Sequence, residues 1–382
     1  EYFFMAESIN VLKKDQSSGR NYGIDLLRIV SMVMIVTLHV LRQGGMLDAA
    51  QPGNLSYLAV WTAEALCIGA VNLYALISGF VGVNSKGTRF YKLASMWLQV
   101  ELYCIISTVI IYCLQPEKLD PAMIVDRLFP VSTNRYWYFT AYFIMFFFTP
   151  IYNKLLNTLN QKQLKYLCCI IFIFASLWPT IWQIDLMELN RGYSFLWLSL
   201  LYILGGSANK LRLHEKVNSW FMAAAYILLS LLGTAFRIAS EELDFAVGDG
   251  NLLISYYSAN IVAGTFCLFL AGANSKIKAK VPVKIIKTLS PLTFGVYIIH
   301  TSEYVWNYMI ADAFADYMEL RARAMVLAVV ATVLLIYLIC SAIDGIRLGL
   351  FKLLRIDKLT HTAEIRIRAA LERRLHKKER RV

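Results

Sequence analysis

The sequence predicts an all-α, polytopic integral membrane protein of about ten transmembrane helices with both termini cytoplasmic, and composition, run length and the placement of basic residues predict it. Of 382 residues, 58% are hydrophobic and 17% charged, and the mean hydropathy is +0.53, too apolar for an ordinary soluble domain. A spanning helix needs about 20 apolar residues to cross about 30 Å of hydrocarbon. Runs of that order cover 23-43, 57-83, 90-114, 136-155, 164-182, 193-209, 218-239, 251-273, 290-311 and 322-350. With the N-terminus inside, 29 of the 38 Lys and Arg residues fall in inside segments and seven outside, with Arg28 and Arg237 within helices. That is the bias of the positive-inside rule. It also argues that the net charge of +12 serves topology and that nucleic acid is not a partner.

Residues 1-22 read as a cytoplasmic N-terminal segment, 23-351 as the membrane domain and 352-382 as a basic cytoplasmic tail. The first run is full length and lacks a small-residue cleavage pattern, so no cleavable signal peptide is expected. The acidic loop EELDFAVGDG (241-250) falls outside, and the loop 115-135 has the length of a capping or re-entrant element. The tail is helix-prone. It reads either as a solvated topology anchor or as a binder of anionic lipid at about 1 kcal/mol per basic residue. The seven cysteines all lie in apolar runs without a C-x-x-C pair, so they read as packing residues, with no disulfide framework or metal site.

The first run, GIDLLRIVSMVMIVTLHV (23-40), keeps Asp25, Arg28 and His39 in a stretch bound for hydrocarbon. Arg28 and His39 are eleven residues apart. At about 100° and 1.5 Å per residue they share a face and are separated by about 16 Å. A charge at mid-bilayer costs about 2.5 to 3.5 kcal/mol on insertion scales, so such residues face a protein interior or a water-filled cavity. Alone, Arg28 reads as snorkelling to the inner headgroups beside Asp25, and His39 as an interhelical hydrogen bond. Together on one face they point to a lined passage.

The second run ends in NLYALISGFVGVNSKGTRFYK (72-92), with a small Ser-Gly pair and then a cationic turn of Lys86, Arg89 and Lys92. That turn suits phosphate and is equally explained by positive-inside bias. The fourth run opens with NRYWYFTAYF (134-143), where Trp137 and Tyr138 suit an outer aromatic belt. The ninth, LSPLTFGVYIIHTSEYVW (289-306), spaces Tyr297, His300 and Glu303 at i, i+3 and i+6, a stripe about 100° wide. Glu303 falls at the depth of His39, where a carboxylate can orient a histidine ring. Glu64, Glu101, Arg237 and Asp344 are further intramembrane ionisable residues without assignable partners.

Arg28-x10-His39 preceded by Asp25, SGF at 78-80, R-x-x-K at Arg89 and Lys92, WYF opening the fourth run and FGVYIIH in the ninth occur in that order. This pattern, over most of residues 20 to 350, resembles the bacterial membrane acyltransferase-3 family. The resemblance implies a multi-pass O-acyltransferase of the bacterial inner membrane. Such an enzyme moves an acyl group, usually acetyl, from cytoplasmic acyl-CoA to a hydroxyl of a cell-surface or exported carbohydrate. Acetyl-CoA or another acyl-CoA is then the co-substrate, no metal is needed, and membrane lipids and polysaccharide-assembly proteins are the expected partners. The resemblance makes His39 the general base. Glu303 is grouped with it as catalytic, and Arg28, Arg89, Lys92 and Ser78 with the donor. Asp25, Trp137, Tyr138, Tyr297 and His300 are expected to support substrate or structure.

Three positions depart from the family pattern. Lys92 replaces the second arginine of R-x-x-R and loses its bidentate fork. Asn72 stands where an acidic residue often precedes SGF, and Tyr142 where a W-S-L-x-x-E pattern would put its Glu. No esterase-like domain is read after the tenth run, so the membrane domain is expected to act alone or to hand its product on. A proton-coupled or glycan transporter is the alternative reading, although the repeats or broken helices usual for alternating access are not evident. A non-catalytic scaffold in a polysaccharide-assembly complex is a further one.

Overall fold

The computed structural model describes residues 20–85, 87, 89–118, 121–243 and 250–379. Most of the N-terminal segment, Lys86 and residues 244–249 of the acidic loop lie outside the described residues. Among those described, the chain is helical and contains no strand. Its main helices are α1 (Tyr22–Leu41), α2 (Leu55–Cys67), α3 (Ala70–Gly82), α4 (Phe90–Leu114), α5 (Pro121–Leu128), α6 (Trp137–Thr158) and α7 (Gln161–Trp182). There follow α8 (Phe195–Lys210), α9 (Ser219–Glu242), α10 (Ala259–Asn274), α11 (Lys280–Leu289), α12 (Thr293–His300), α13 (Ala322–Leu353) and α14 (Ile356–Glu379).

Seven helical stretches among the described residues are long and apolar enough to cross a membrane, so this is a multi-pass membrane protein. They are α1, α2 with α3, α4, α7, α9, α11 with α12, and α13. The expected runs at 136-155, 193-209 and 251-273 are also helical but do not qualify. α6 carries Tyr, Thr, Asn and Lys along its length, and α8 and α10 have 16 residues each. α10 starts eight residues later than its apolar run because Ser255 and Ser258 donate to the local carbonyls of Asn251 and Leu252. Such bonds compete with the helix.

Two expected single helices are broken. The second run divides at Ile68–Gly69 into α2 and α3. The ninth shifts toward the N-terminus: α11 leads through a turn at Ser290–Leu292, with Pro291 in it, into α12, which ends at His300 before helical turns resume at Glu303–Val305 and Trp306–Ile310. There Thr301 Oγ1 donates to Tyr297 O at 2.6 Å and Ser302 Oγ to Ile299 O at 2.7 Å, while Ser302 is extended (φ −63°, ψ 149°). The helical stripe projected from Tyr297 to Glu303 is therefore interrupted.

Local chemistry explains the remaining irregularities. Pro150 inside α6 has no N–H for the Phe146 carbonyl, and Thr149 Oγ1 donates to that oxygen at 2.7 Å instead. Pro179 lies just past a π-helical turn at Ile173–Leu177 in α7. α3 and α8 pack backbone to backbone through glycines. A Cβ on Gly79 would lie 1.9 Å from Tyr202 O, and one on Gly205 2.0 Å from Leu76 O. Close approach between membrane helices requires such small residues, and this is what the glycine of the SGF segment does.

Most intramembrane ions are paired. Glu64, fully buried, is held by Arg42 at 2.5–2.6 Å, and Arg237 by Glu241 at 2.5 Å. Asp344, also fully buried, accepts from Gln99, Tyr103 and Arg347 at 2.6–2.9 Å. Gly295 gives Asp344 its room, since a Cβ there would sit 2.0 Å from the carboxyl carbon. Glu101 differs: its buried Oε1 has no hydrogen-bond partner.

Candidate active site

α1 presents Arg28, Met32, Ile35 and His39, one per turn of a single face, to a cavity of about 220 Å³. The opposite wall comes from α3 (Val71, Tyr74, Ser78), α6 (Trp137 to Phe139 and Tyr142) and α12 (Thr293, Phe294, Tyr297). Asp25 anchors the Arg28 end. It is 3% exposed and accepts from Arg28 Nη1 at 2.7 Å, Arg20 Nε at 2.5 Å and Ser290 Oγ at 3.3 Å. Arg28 keeps part of its guanidinium open to the cavity, with 31% of its side chain exposed. Tyr74 fixes its backbone, donating from its hydroxyl to Arg28 O at 2.7 Å.

A second cavity, about 360 Å³, lies beyond His39 and is lined by Arg135, Thr301, Glu303, Trp306 and Asn307. His39, Trp137 and Tyr297 line both cavities. The imidazole therefore stands at the junction of a space that reaches back to Arg28 and one that reaches out to Glu303.

The neighbour of the His39 ring is His300. His39 Nδ1 lies 2.8 Å from His300 Nε2, and His300 Nδ1 lies 2.5 Å from the Val296 carbonyl oxygen. A carbonyl only accepts, so His300 Nδ1 carries its proton and its Nε2 offers a lone pair. His39 must then donate from Nδ1, which leaves the lone pair of His39 on Nε2. The Trp306 ring meets His39 edge-on at 4.7 Å and limits its swing.

Glu303, expected to orient a histidine, is held elsewhere: Oε2 pairs with Arg127 at 2.9 Å and Arg135 at 2.7 Å. The interruption after His300 turns it away from the α12 stripe, and two guanidiniums bind it more strongly than a neutral ring would. It still lines the second cavity with His39.

The family profile described as "Acyltransferase domain" matches residues 21–343. The chain belongs to the acyltransferase-3 family. No curated protein and no solved structure matches it.

Two of this acyltransferase's departures from its family pattern have local explanations. Asn72 is fully buried, donates to Tyr256 O at 2.6 Å and accepts from Trp197 Nε1 at 2.9 Å. An aspartate could do only the second. Tyr142 lines the central cavity beside Tyr138, with ring centroids 6.4 Å apart, and so belongs to its aromatic wall. Arg89 and Lys92 are exposed at the start of α4 and are not among the residues lining the central cavity. Among the described residues, no group of three or more His, Cys, Asp or Glu could hold a metal.

Sequence reasoning missed Tyr74, Tyr142, Met96, Arg127, Arg135 and Trp306. Tyr74 was accessible, because it precedes Ser78 by one turn on the same face. Arg127 and Arg135 had no local signal, since they meet Glu303 from about 170 residues away.

Proposed function

We propose that this acyltransferase moves an acyl group, most readily acetyl, from cytoplasmic acyl-CoA to a hydroxyl of a cell-surface or exported carbohydrate. In this reading the protein crosses the bacterial inner membrane ten times with both ends in the cytoplasm. The Arg28 end of the central cavity receives the donor, and the cavity at Glu303 receives the acceptor.

The observation that carries the proposal is His39 at the junction of the two cavities, with its Nε2 lone pair left free by the His300 contact. Nε2 takes the proton of the acceptor hydroxyl as that oxygen attacks the thioester carbonyl. The new C–O bond forms as C–S breaks, and the departing CoA thiolate recovers the proton from the imidazolium. General-base assistance of this kind supplies about 10²- to 10⁴-fold. His39 is the catalytic residue, and His300 positions it. Trp306, Asn307 and Trp137 offer the aromatic and polar surface that a sugar ring requires.

The test is mass spectrometry of surface glycans from cells expressing wild type or His39→Ala at matched levels. Loss of an acyl mass increment in the variant alone supports transfer with His39 as base. An unchanged increment removes His39 from the mechanism.

A further inference from the structure

The tail helix α14 is docked on α4. Glu364 accepts from the Tyr91 backbone N–H at 2.9 Å and Asp357 from Ser95 Oγ at 2.8 Å, with Thr360 Oγ1 3.2 Å from the same hydroxyl. The two carboxylates thus face α4. Between α4, the end of α13 and the start of α14 is a cleft of about 370 Å³, lined among others by Met96, Arg347, Lys352, Arg355 and Lys358. Arg347 is neutralised by the buried Asp344. Lys352, Arg355 and Lys358 are exposed and have no ion-pair partner among the described residues, against one carboxylate, Asp357, already bonded to Ser95.

The elbow that gathers these cations is Arg355, whose φ of 54° is left-handed and unfavourable for any residue with a Cβ. Its N–H reaches Lys352 O at 3.2 Å and its carbonyl accepts from Lys358 N at 2.9 Å, so the three bases stay close together. Met96 lines both this cleft and the central cavity. Lys92 lies one turn before Met96 on the same face of α4.

We infer that the cleft binds the phosphates of the acyl-CoA donor, with Lys352, Arg355 and Lys358 as ligands and the pantetheine arm passing Met96 toward His39. The inference rests on the acyl-CoA reading above. A 3′-phosphate and a diphosphate present several negative charges to three unpaired cations, one of them a planar guanidinium that can bind bidentately. An anionic lipid headgroup shares this chemistry and is separated by the test.

The full-length protein in neutral phosphatidylcholine nanodiscs is titrated with CoA and with 3′-dephospho-CoA. Wild type binds CoA more tightly than 3′-dephospho-CoA. Lys352→Gln/Arg355→Gln/Lys358→Gln binds it about tenfold or more weakly and no longer prefers CoA over 3′-dephospho-CoA. Arg355→Gly relieves the left-handed strain while removing the cation, so its weakened CoA binding is not a folding defect. CoA affinity unchanged in both variants overturns the inference. So does a defect seen only as lost binding of phosphatidylglycerol, which would make the cleft a lipid site. Failure of wild type to bind CoA at all overturns the donor reading itself, and the inference with it.

Discussion

Replacing His300 by Leu removes the acceptor of the His39 Nδ1–H while keeping an apolar side chain of similar bulk at a fully buried position. A net hydrogen bond contributes about 0.5–1.5 kcal/mol. At about 1.36 kcal/mol per tenfold, that corresponds to about a 2- to 13-fold loss of rate if the bond acts by holding the ring and its tautomer. Acyl transfer by purified enzyme should show kcat lowered by this factor, with KM for acyl-CoA unchanged. His39→Ala should lose about 10²- to 10⁴-fold. Because the two residues act as a unit, the double variant should be no slower than His39→Ala. His300→Gln should recover part of the loss by offering its amide oxygen to Nδ1. A His300→Leu enzyme with wild-type kcat, or a double variant slower than His39→Ala by the His300→Leu factor, would refute the reasoning.

Substitutions at three further sites are read by thermal unfolding in detergent. Asn72→Asp leaves the Tyr256 carbonyl without its donor and should cost about 1–3 kcal/mol, seen as a lowered Tm. Asp344→Ala strands the Arg347 guanidinium, which is 9% exposed, and should cost about 3–5 kcal/mol, whereas Asp344→Ala with Arg347→Leu should restore much of it. Gly79→Ala forces α3 from the α8 backbone at 1.9 Å and should cost about 1–3 kcal/mol, so an unchanged Tm would count against that helix contact.

What the sequence determined by itself was whatever depends on run length and on position within one helix. Apolar runs of about 20 residues announced the membrane class. The eleven-residue spacing set Arg28 and His39 on one face of α1 because helical periodicity fixes their angle wherever the helix packs, and both line the same cavity. The order of short motifs pointed to the family that the profile over residues 21–343 shows. Tertiary structure decided everything that depends on which helix faces which. The stripe from Tyr297 to Glu303 failed because Thr301 and Ser302 bond back to the preceding turn, a choice open to any Thr-Ser pair. The partner of His39 became His300, 261 residues away, while Glu303 went to Arg127 and Arg135. The basic tail, read as an anchor or a lipid binder, became one wall of a cleft by docking on α4. Periodicity constrains directions within a helix. It carries no information on the distance between helices, and hydrogen bonds and ion pairs are won at that distance.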